Sequence, residues 1–379
     1  MNDTGKQTGP ACRGILIRGN TQPDRETTRL DVLARLDARD LAPHVVAESG
    51  ADAQGQFFRL RLADHAVLAW APGFDTTGLA TTLGLNPVDK PADLCREILI
   101  ALLIGPLVYE FPSIDELKSA VLIRRNIVQA ARKTTLAFET EAAERPEDCW
   151  TYNESTGFTL LPCVRLVGAL IKTTQPEVSG RLYSFSCYRA TEYVILLGIA
   201  QELARCNPAL FERLQTLWHQ RAIMSEEFHA VFLREYGATD APLPPLYYVP
   251  GDRVWFRNPH EASADATGFE GSWVMYLGGG LFTNFWKHHK TYTLAEKCVD
   301  IYHWRNGLYR DAKGEPQIDE KRIEPLIAAT LANPVELARV MALMMRWREP
   351  RGVYTEAGGC RAPTREFSSG GPTSELQPP

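Results

Sequence analysis

The chain has 379 residues, of which 45% are apolar and 23% are charged. This composition is ordinary for a globular protein, and the length suggests two domains or one large domain with extensions. The formal net charge of -5 gives no basic footprint, so nucleic acid is excluded as an expected partner.

The chain starts with polar residues and lacks the apolar segment of a secretory signal. Its two most apolar runs, residues 98–109 and 193–200, are too short to span a membrane. We therefore expect a cytoplasmic protein with no membrane partner. Eight cysteines lie far apart without a C-x-x-C pair that would suggest zinc or a redox motif, and because no export signal is seen they are expected to be reduced thiols. No spacing of His, Glu or Asp is typical of a metal site, so neither metal nor cofactor is expected.

The two ends differ from the rest of the chain. Residues 1–14 are polar, and residues 349–379 are rich in Gly, Pro, Ser and Thr, so both are expected to be disordered tails. Residues 15–105 are expected to form an accessory α/β unit of unknown role. Its signals are a strand at 14–18, a helix at 28–38 and an alternating strand at 57–62.

Residues 108–348 form the third expected unit. Ser113 and Glu116 make a capping-box pattern, which predicts a helix running to about Glu139. A second helix, apolar on nearly every side, begins at Cys187 and ends near Cys206. Strands are predicted at 253–256 and 272–277, and helices at 294–304 and 335–347. This order predicts an α+β fold in which the apolar helix is central.

Cys187 lies where a polar loop meets the first turn of that central helix. Backbone N–H groups and the helix dipole lower a thiol pKa at such a position, which favours a nucleophile. A cysteine that simply packs in the core is the alternative. The usual partner of a thiol nucleophile is a histidine distant in sequence, and His288 follows a glycine-rich turn in the strand-rich segment. His288 and His289 could instead be exposed between two lysines.

Four segments resemble motifs of the spore-associated bacterial transglutaminases, over roughly residues 108–345. In chain order they are the helix formed by S-I-D-E-L at 113–117 and R-R-N-I-V-Q-A-A at 124–131, Y-S-F-S-C at 183–187, G-D-R-V-W-F-R-N-P at 251–259, and the strand at 271–278. The resemblance implies a papain-like or NlpC/P60-like thiol-enzyme core with an antiparallel sheet. It also implies that Cys187 is the nucleophile of a calcium-independent protein-glutamine gamma-glutamyltransferase, and that the partners are proteins carrying glutamine and lysine.

The chain departs from the family at both positions where the resemblance places a catalytic glutamate. These positions hold Ser186 and Ser272. Glu270 precedes Ser272 by two residues, and such residues face the same side of a strand, so Glu270 could supply the missing carboxylate. The family histidine aligns with His288 if three residues are inserted after the glycine turn. The expected catalytic residues are therefore Cys187, His288 and Glu270.

Two other functions stay open. A glutamine deamidase or peptide amidase would use the same thiol chemistry with water as the acyl acceptor, because site shape and water exclusion select the acceptor. A non-catalytic family member with a structural or binding role is the second alternative, since both glutamates are replaced. The sequence does not indicate the oligomeric state.

Overall fold

The computed structural model describes residues 12–18, 40–137, 143–348 and 359–368, together with residues 32, 34, 36 and 37. The helices are α1 (Asp64–Trp70), α2 (Leu79–Leu83), α3 (Pro91–Ile104), α4 (Ile114–Lys133), α5 (Leu166–Thr174), α6 (Pro176–Ser179), α7 (Cys187–Cys206), α8 (Pro208–Gln220), α9 (Ser225–Phe232), α10 (Glu261–Ala264), α11 (Leu294–Gly307), α12 (Glu320–Ala332) and α13 (Pro334–Met344). Two short 3-10 helices span Ala42–His44 and Pro72–Phe74.

The strands are β1 (Ile15–Arg18), β2 (Val45–Asp52), β3 (Gly55–Leu62), β4 (Tyr109–Phe111), β5 (Trp150–Asn153), β6 (Gly157–Leu160), β7 (Leu233–Tyr236), β8 (Arg253–Arg257), β9 (Gly271–Gly278), β10 (Leu281–Thr283), β11 (Thr291–Thr293), β12 (Leu308–Arg310), β13 (Pro316–Ile318) and β14 (Arg365–Ser368). One sheet has the order β2-β3-β1-β4 and the larger one β11-β10-β9-β8-β14-β7, while β5-β6 and β12-β13 are two-stranded. Helices combined with several mainly antiparallel sheets are compatible with the expected α+β class.

Helix α7 is the centre of the larger core. Its side chains from Ala190 to Ala200 are all buried, as the apolar pattern predicted. Helix α4 crosses it closely at Gly198, where an added Cβ would lie 2.6 Å from the Ile127 side chain. Glycine is required there by the close approach of two helices, since its backbone has an ordinary helical conformation. The α4–α7 pair therefore fixes the position of Cys187 at the helix start.

Residues on both sides of the expected boundary between residues 105 and 108 share one sheet and one hydrophobic core. Strand β4 pairs in parallel with β1, with Ile15 opposite Tyr109. The larger hydrophobic cluster also contains residues from both sides, such as Leu60 and Leu196. The division into an accessory unit and a catalytic domain stays a prediction.

Most predicted elements from residue 113 onward are confirmed, but three helices differ in length: α11 ends at Gly307 instead of residue 304, α13 ends at Met344 instead of residue 347, and α4 is shorter than predicted. Ser113 caps α4 by accepting a hydrogen bond from the Glu116 N–H at 3.2 Å. The helix ends at Lys133 instead of reaching Glu139, because Thr134 adopts an extended conformation and Thr135 donates its N–H to the Thr174 carbonyl. Glu139 lies outside the described residues. Most of the predicted helix at 28–38 also does, although the described residues 32, 34, 36 and 37 are helical.

The expectation of unpacked tails is wrong for residues 12–14 and 359–368. The N–H of Arg13 donates to the Gly105 carbonyl at 2.8 Å. Strand β14 pairs with β7 and β8 within the larger sheet. The side chains of Cys360 and Arg361 are buried at 0% and 2% exposure, so this segment packs despite its composition. Amino-acid composition alone does not show whether a segment can pair with strands elsewhere in the fold.

Among the described helices, none has by itself both the length and the apolar character needed to cross a membrane. The adjacent helices α12 and α13, which meet at an angle of 107°, pass that test as a pair by length and composition alone.

Candidate functional site

Cys187 is the first residue of α7, as predicted. The preceding residue, Ser186, is the N-cap and accepts a hydrogen bond from the Arg189 N–H at 3.2 Å. This serine, at a position where the motif resemblance places a glutamate, therefore has a structural role as a helix cap. This cap holds the first turn and with it the thiol.

The thiol lies against β9, and Lys297 in the first turn of α11 is within electrostatic range of it. Burial raises the pKa of the thiol above the usual value, and this effect outweighs the backbone N–H groups of Trp273 and Tyr188, which favour the thiolate. The positive charge of Lys297 also favours the thiolate, and the negative charge of Glu270 opposes it. The expectation that the helix start lowers the thiol pKa is thus wrong for the net effect, because desolvation penalises the charged form more strongly.

Lys297 is a neighbour of the thiol that the sequence did not indicate. It lies in the first turn of α11 and is only 4% exposed. Its Nζ atom is 4.7 Å from the centre of the Tyr292 ring and 3.5 Å from Asp300 Oδ2. A lysine held between an aromatic ring and a carboxylate provides a fixed positive charge in the thiol's surroundings.

Glu270 lies immediately before β9, within electrostatic range of the Cys187 thiol. It is exposed, and its Oε1 atom accepts a hydrogen bond from the Gly268 N–H at 3.2 Å. Its backbone carbonyl accepts from the Asn258 N–H at 3.0 Å, which fixes the entrance to the strand. Ser272, two residues on, is buried at 6% exposure. The structure therefore brings Cys187 and Glu270 into the same region.

His288 is placed elsewhere. It is exposed on the loop between β10 and β11, and its ring centre is 3.6 Å from that of His289. Both imidazoles lie near Glu177, with His289 Nε2 3.7 Å from Glu177 Oε1. Within the described part of the chain no hydrogen bond joins His288 to Cys187. The structure thus groups His288 with His289 and Glu177.

A buried charged cluster lies directly behind the nucleophile. The guanidinium of Arg253 lies beside the rings of Tyr188 and Trp273, at 4.2 and 4.0 Å from their centres, and the two rings contact each other edge to face at 5.4 Å. Its Nε atom is 3.3 Å from Glu366 Oε2, while Arg189 Nη1 is 2.7 Å from Glu192 Oε2. Burial also raises the pKa of Glu192. The sequence did not indicate this cluster, because α7, β8 and β14 are far apart along the chain and come together only in the folded structure.

This arrangement can support nucleophilic chemistry at sulfur. A thiol at a helix start has backbone N–H groups that can stabilise a negative charge on sulfur or on an adjacent oxygen. The nearby lysine adds a fixed positive charge. Ser186 and Ser272 carry no carboxylate, whereas Glu270, just before β9, places one within electrostatic range of the thiol.

Comparison with known proteins gives a single clear result. The sequence model of the protein-glutamine gamma-glutamyltransferase family matches residues 80–355, well over half of the chain. The match includes α4, α7, β8 and β9, and it begins before the expected boundary at residue 108. No curated protein matches the chain. The resemblance drawn from the four motifs is confirmed, and the chain belongs to the protein-glutamine gamma-glutamyltransferase family.

Proposed function

We propose that this protein forms isopeptide crosslinks between glutamine and lysine side chains of proteins, through a thioester on Cys187. The observation that carries the proposal is that the family match includes Cys187 at the start of the buried helix α7. The family implies an acyltransferase that acts on protein substrates. We also infer that the helix–sheet core is related to the papain-like thiol enzymes.

The proposed reaction has two steps. The Cys187 thiolate attacks the carboxamide carbon of a glutamine side chain, and a carbon–sulfur bond forms. The carbon–nitrogen bond breaks as the amide nitrogen takes up the proton that the thiol released and leaves as ammonia. A lysine amine then attacks the thioester carbon, the isopeptide bond forms, and the sulfur is released to take up a proton as the thiol. No oxidant or metal enters this balance.

Several groups have proposed roles in these steps. The Cys187 backbone N–H is a donor for the oxyanion that forms at the carboxamide carbon. Lys297 stabilises the thiolate through its positive charge. Glu270 is the proposed carboxylate partner because it lies within electrostatic range of the thiol. His288 is the proposed base if the loop between β10 and β11 carries it to Cys187.

The test is incorporation of a fluorescent primary amine into a glutamine-rich protein, without added calcium. We expect the wild type to label that protein and Cys187→Ala to be inactive. Cys163→Ala removes an exposed cysteine and serves as the matched control, with wild-type labelling expected. His288→Ala and Glu270→Gln then separate the two proposed partners by their individual losses. Labelling that survives in Cys187→Ala would contradict the proposal.

One observation favours a non-catalytic function as the second candidate. Ser186 and Ser272 replace both family glutamates, and burial raises the pKa of the Cys187 thiol. Absence of amine labelling and of ammonia release in the wild type would support this candidate. Ammonia release without amine labelling would instead indicate a deamidase or amidase, in which water takes the acyl group.

A further inference from the structure

Three side chains with metal-binding atoms converge at the surface, on α6 and on the loop between β10 and β11. They are Glu177, His288 and His289, and their ligand atoms all lie within 4.8 Å of one another. The imidazoles come from adjacent residues, whereas Glu177 comes from a distant part of the sequence. No short sequence motif therefore marks this cluster.

The backbone at His289 allows the two neighbouring imidazoles to share one side of the loop. In an extended chain, adjacent side chains point in opposite directions. His289 has a φ of 57°, in the left-handed region, which is unfavourable for a non-glycine residue. The resulting distance between the two ring centres is 3.6 Å. His289 Nε2 is at the same time 3.7 Å from Glu177 Oε1.

The lysines on either side of the histidines are directed toward other partners. Lys287 Nζ lies 3.2 Å from Glu324 Oε1 and 3.9 Å from Glu320 Oε2. Lys290 Nζ lies 5.6 Å from the centre of the Tyr292 ring. Positive charge near the cluster is therefore partly neutralised on the α12 side, which reduces repulsion of a bound cation.

We propose that Glu177, His288 and His289 bind a divalent transition-metal ion, with water at the remaining positions. Imidazole nitrogen and carboxylate oxygen suit Zn²⁺, Ni²⁺ and Co²⁺, and two histidines with one carboxylate form a recurrent open ligand set. All three side chains are exposed, so an ion can enter without any unfolding. The bound ion links α6 to the loop between β10 and β11. Metal binding itself does not need the transferase reaction, and a bound ion holds His288 away from the base role proposed for it at Cys187.

The test is calorimetric titration of the full chain with Ni²⁺, which favours imidazole ligands, in wild type and in His289→Ala and Glu177→Gln. We expect one ion per chain in the wild type and at least a tenfold weaker affinity in each variant. His65→Ala removes another exposed imidazole and should bind Ni²⁺ like the wild type. Equal unfolding midpoints of the metal-free proteins establish that each variant is folded.

A second measurement locates the ion. Ni²⁺ should protect His288 and His289 from acylation by diethyl pyrocarbonate, read by peptide mass spectrometry, while His65 stays reactive. Binding that persists unchanged in both His289→Ala and Glu177→Gln would overturn the site, as would the lack of saturable binding in the wild type. Neither readout uses catalytic activity, so failure of the proposed transferase function leaves this result unaffected.

Discussion

The Arg253 guanidinium lies 4.0 Å from the centre of the Trp273 ring, and the backbone of Trp273 contacts the Cys187 thiol. The same guanidinium is 4.2 Å from the centre of the ring of Tyr188, the residue after Cys187. Arg253 thus connects the first turn of α7 to β9. It is only 1% exposed, so the surrounding acids depend on its charge.

We expect Arg253→Met to destabilise the fold by about 1–3 kcal/mol, because it removes the cation beside the half-buried Glu366, whose Oε1 atom keeps its contact with His229. Arg165→Met is the matched control. Arg165 lies 2.7 Å from Glu212 in an exposed pair, whose loss is expected to cost at most about 1 kcal/mol. Urea denaturation measures the free energy of unfolding of both variants, and the two losses relative to the wild type are compared. Equal losses would show that the buried arginine is no more than a surface contact.

Helix and strand patterns in the sequence predicted the elements that carry the candidate site, but not how they meet. Cys187 and the apolar face of α7 are read directly from residue types, because a buried helix requires a continuous apolar surface. The contact of Lys297 with this region depends on how α11 packs under β9, which local periodicity does not encode. The exposed position of His288 depends on the loop conformation after β10. Strand β14 was missed because its short polar sequence pairs with strands distant in the chain.

Glu97 should make the stability of the protein depend on pH. Its carboxyl group is fully buried, and desolvation raises its pKa from 4.5 to about 7, although the Gly279 N–H donates to Oε1 at 2.8 Å. A raised carboxyl pKa means that the folded state binds a proton that the unfolded state has lost. The stabilisation that comes from this bound proton is therefore fully present below pH 4.5 and is lost as the pH rises through about 7. The free energy of unfolding falls by at most about 3 kcal/mol over this range.

Glu97→Gln keeps the shape of the side chain and removes the titration. The free energy of unfolding of the wild type should fall between pH 5 and pH 8 as Glu97 ionises. We expect this fall to be smaller in Glu97→Gln. Glu212→Gln, at an exposed site, should retain the wild-type difference. Urea denaturation at the two pH values provides the measurement, and an unchanged pH dependence in Glu97→Gln would contradict the assignment.

Gly198→Ala tests the close approach of α4 and α7. An added Cβ would lie 2.6 Å from Ile127 Cγ1 and 2.9 Å from the Ile127 backbone nitrogen, which has little freedom to move. Overpacking of this kind costs typically about 1–3 kcal/mol. Gly168→Ala in α5 is the control, since an added Cβ there has no atom within 4 Å, and it should gain up to about 1 kcal/mol from helix propensity. Chemical denaturation gives the free energy of unfolding of both variants. A higher value for Gly198→Ala than for Gly168→Ala would contradict the close approach of α4 and α7.

The pH dependence of alkylation reports the environment of the Cys187 thiol. Since burial raises its pKa and only the thiolate reacts, the iodoacetamide rate should keep increasing above pH 9.0. Lys297→Met removes a charge that favours the thiolate, on the order of 1 kcal/mol or less, so the rate at pH 8 should fall by up to about fivefold. Site-resolved mass spectrometry gives both rates. A plateau already below pH 8 would mean that the helix start outweighs burial.

The most direct test of the central proposal is to trap the acyl-enzyme. The protein is mixed with a glutamine peptide without any amine acceptor, quenched in acid, and analysed by intact mass and peptide mapping. We predict an adduct equal to the peptide mass less ammonia, located on Cys187 and absent in Cys187→Ala. An adduct on another residue, or ammonia release with no adduct on any cysteine even at the earliest quench, would contradict a thioester at Cys187.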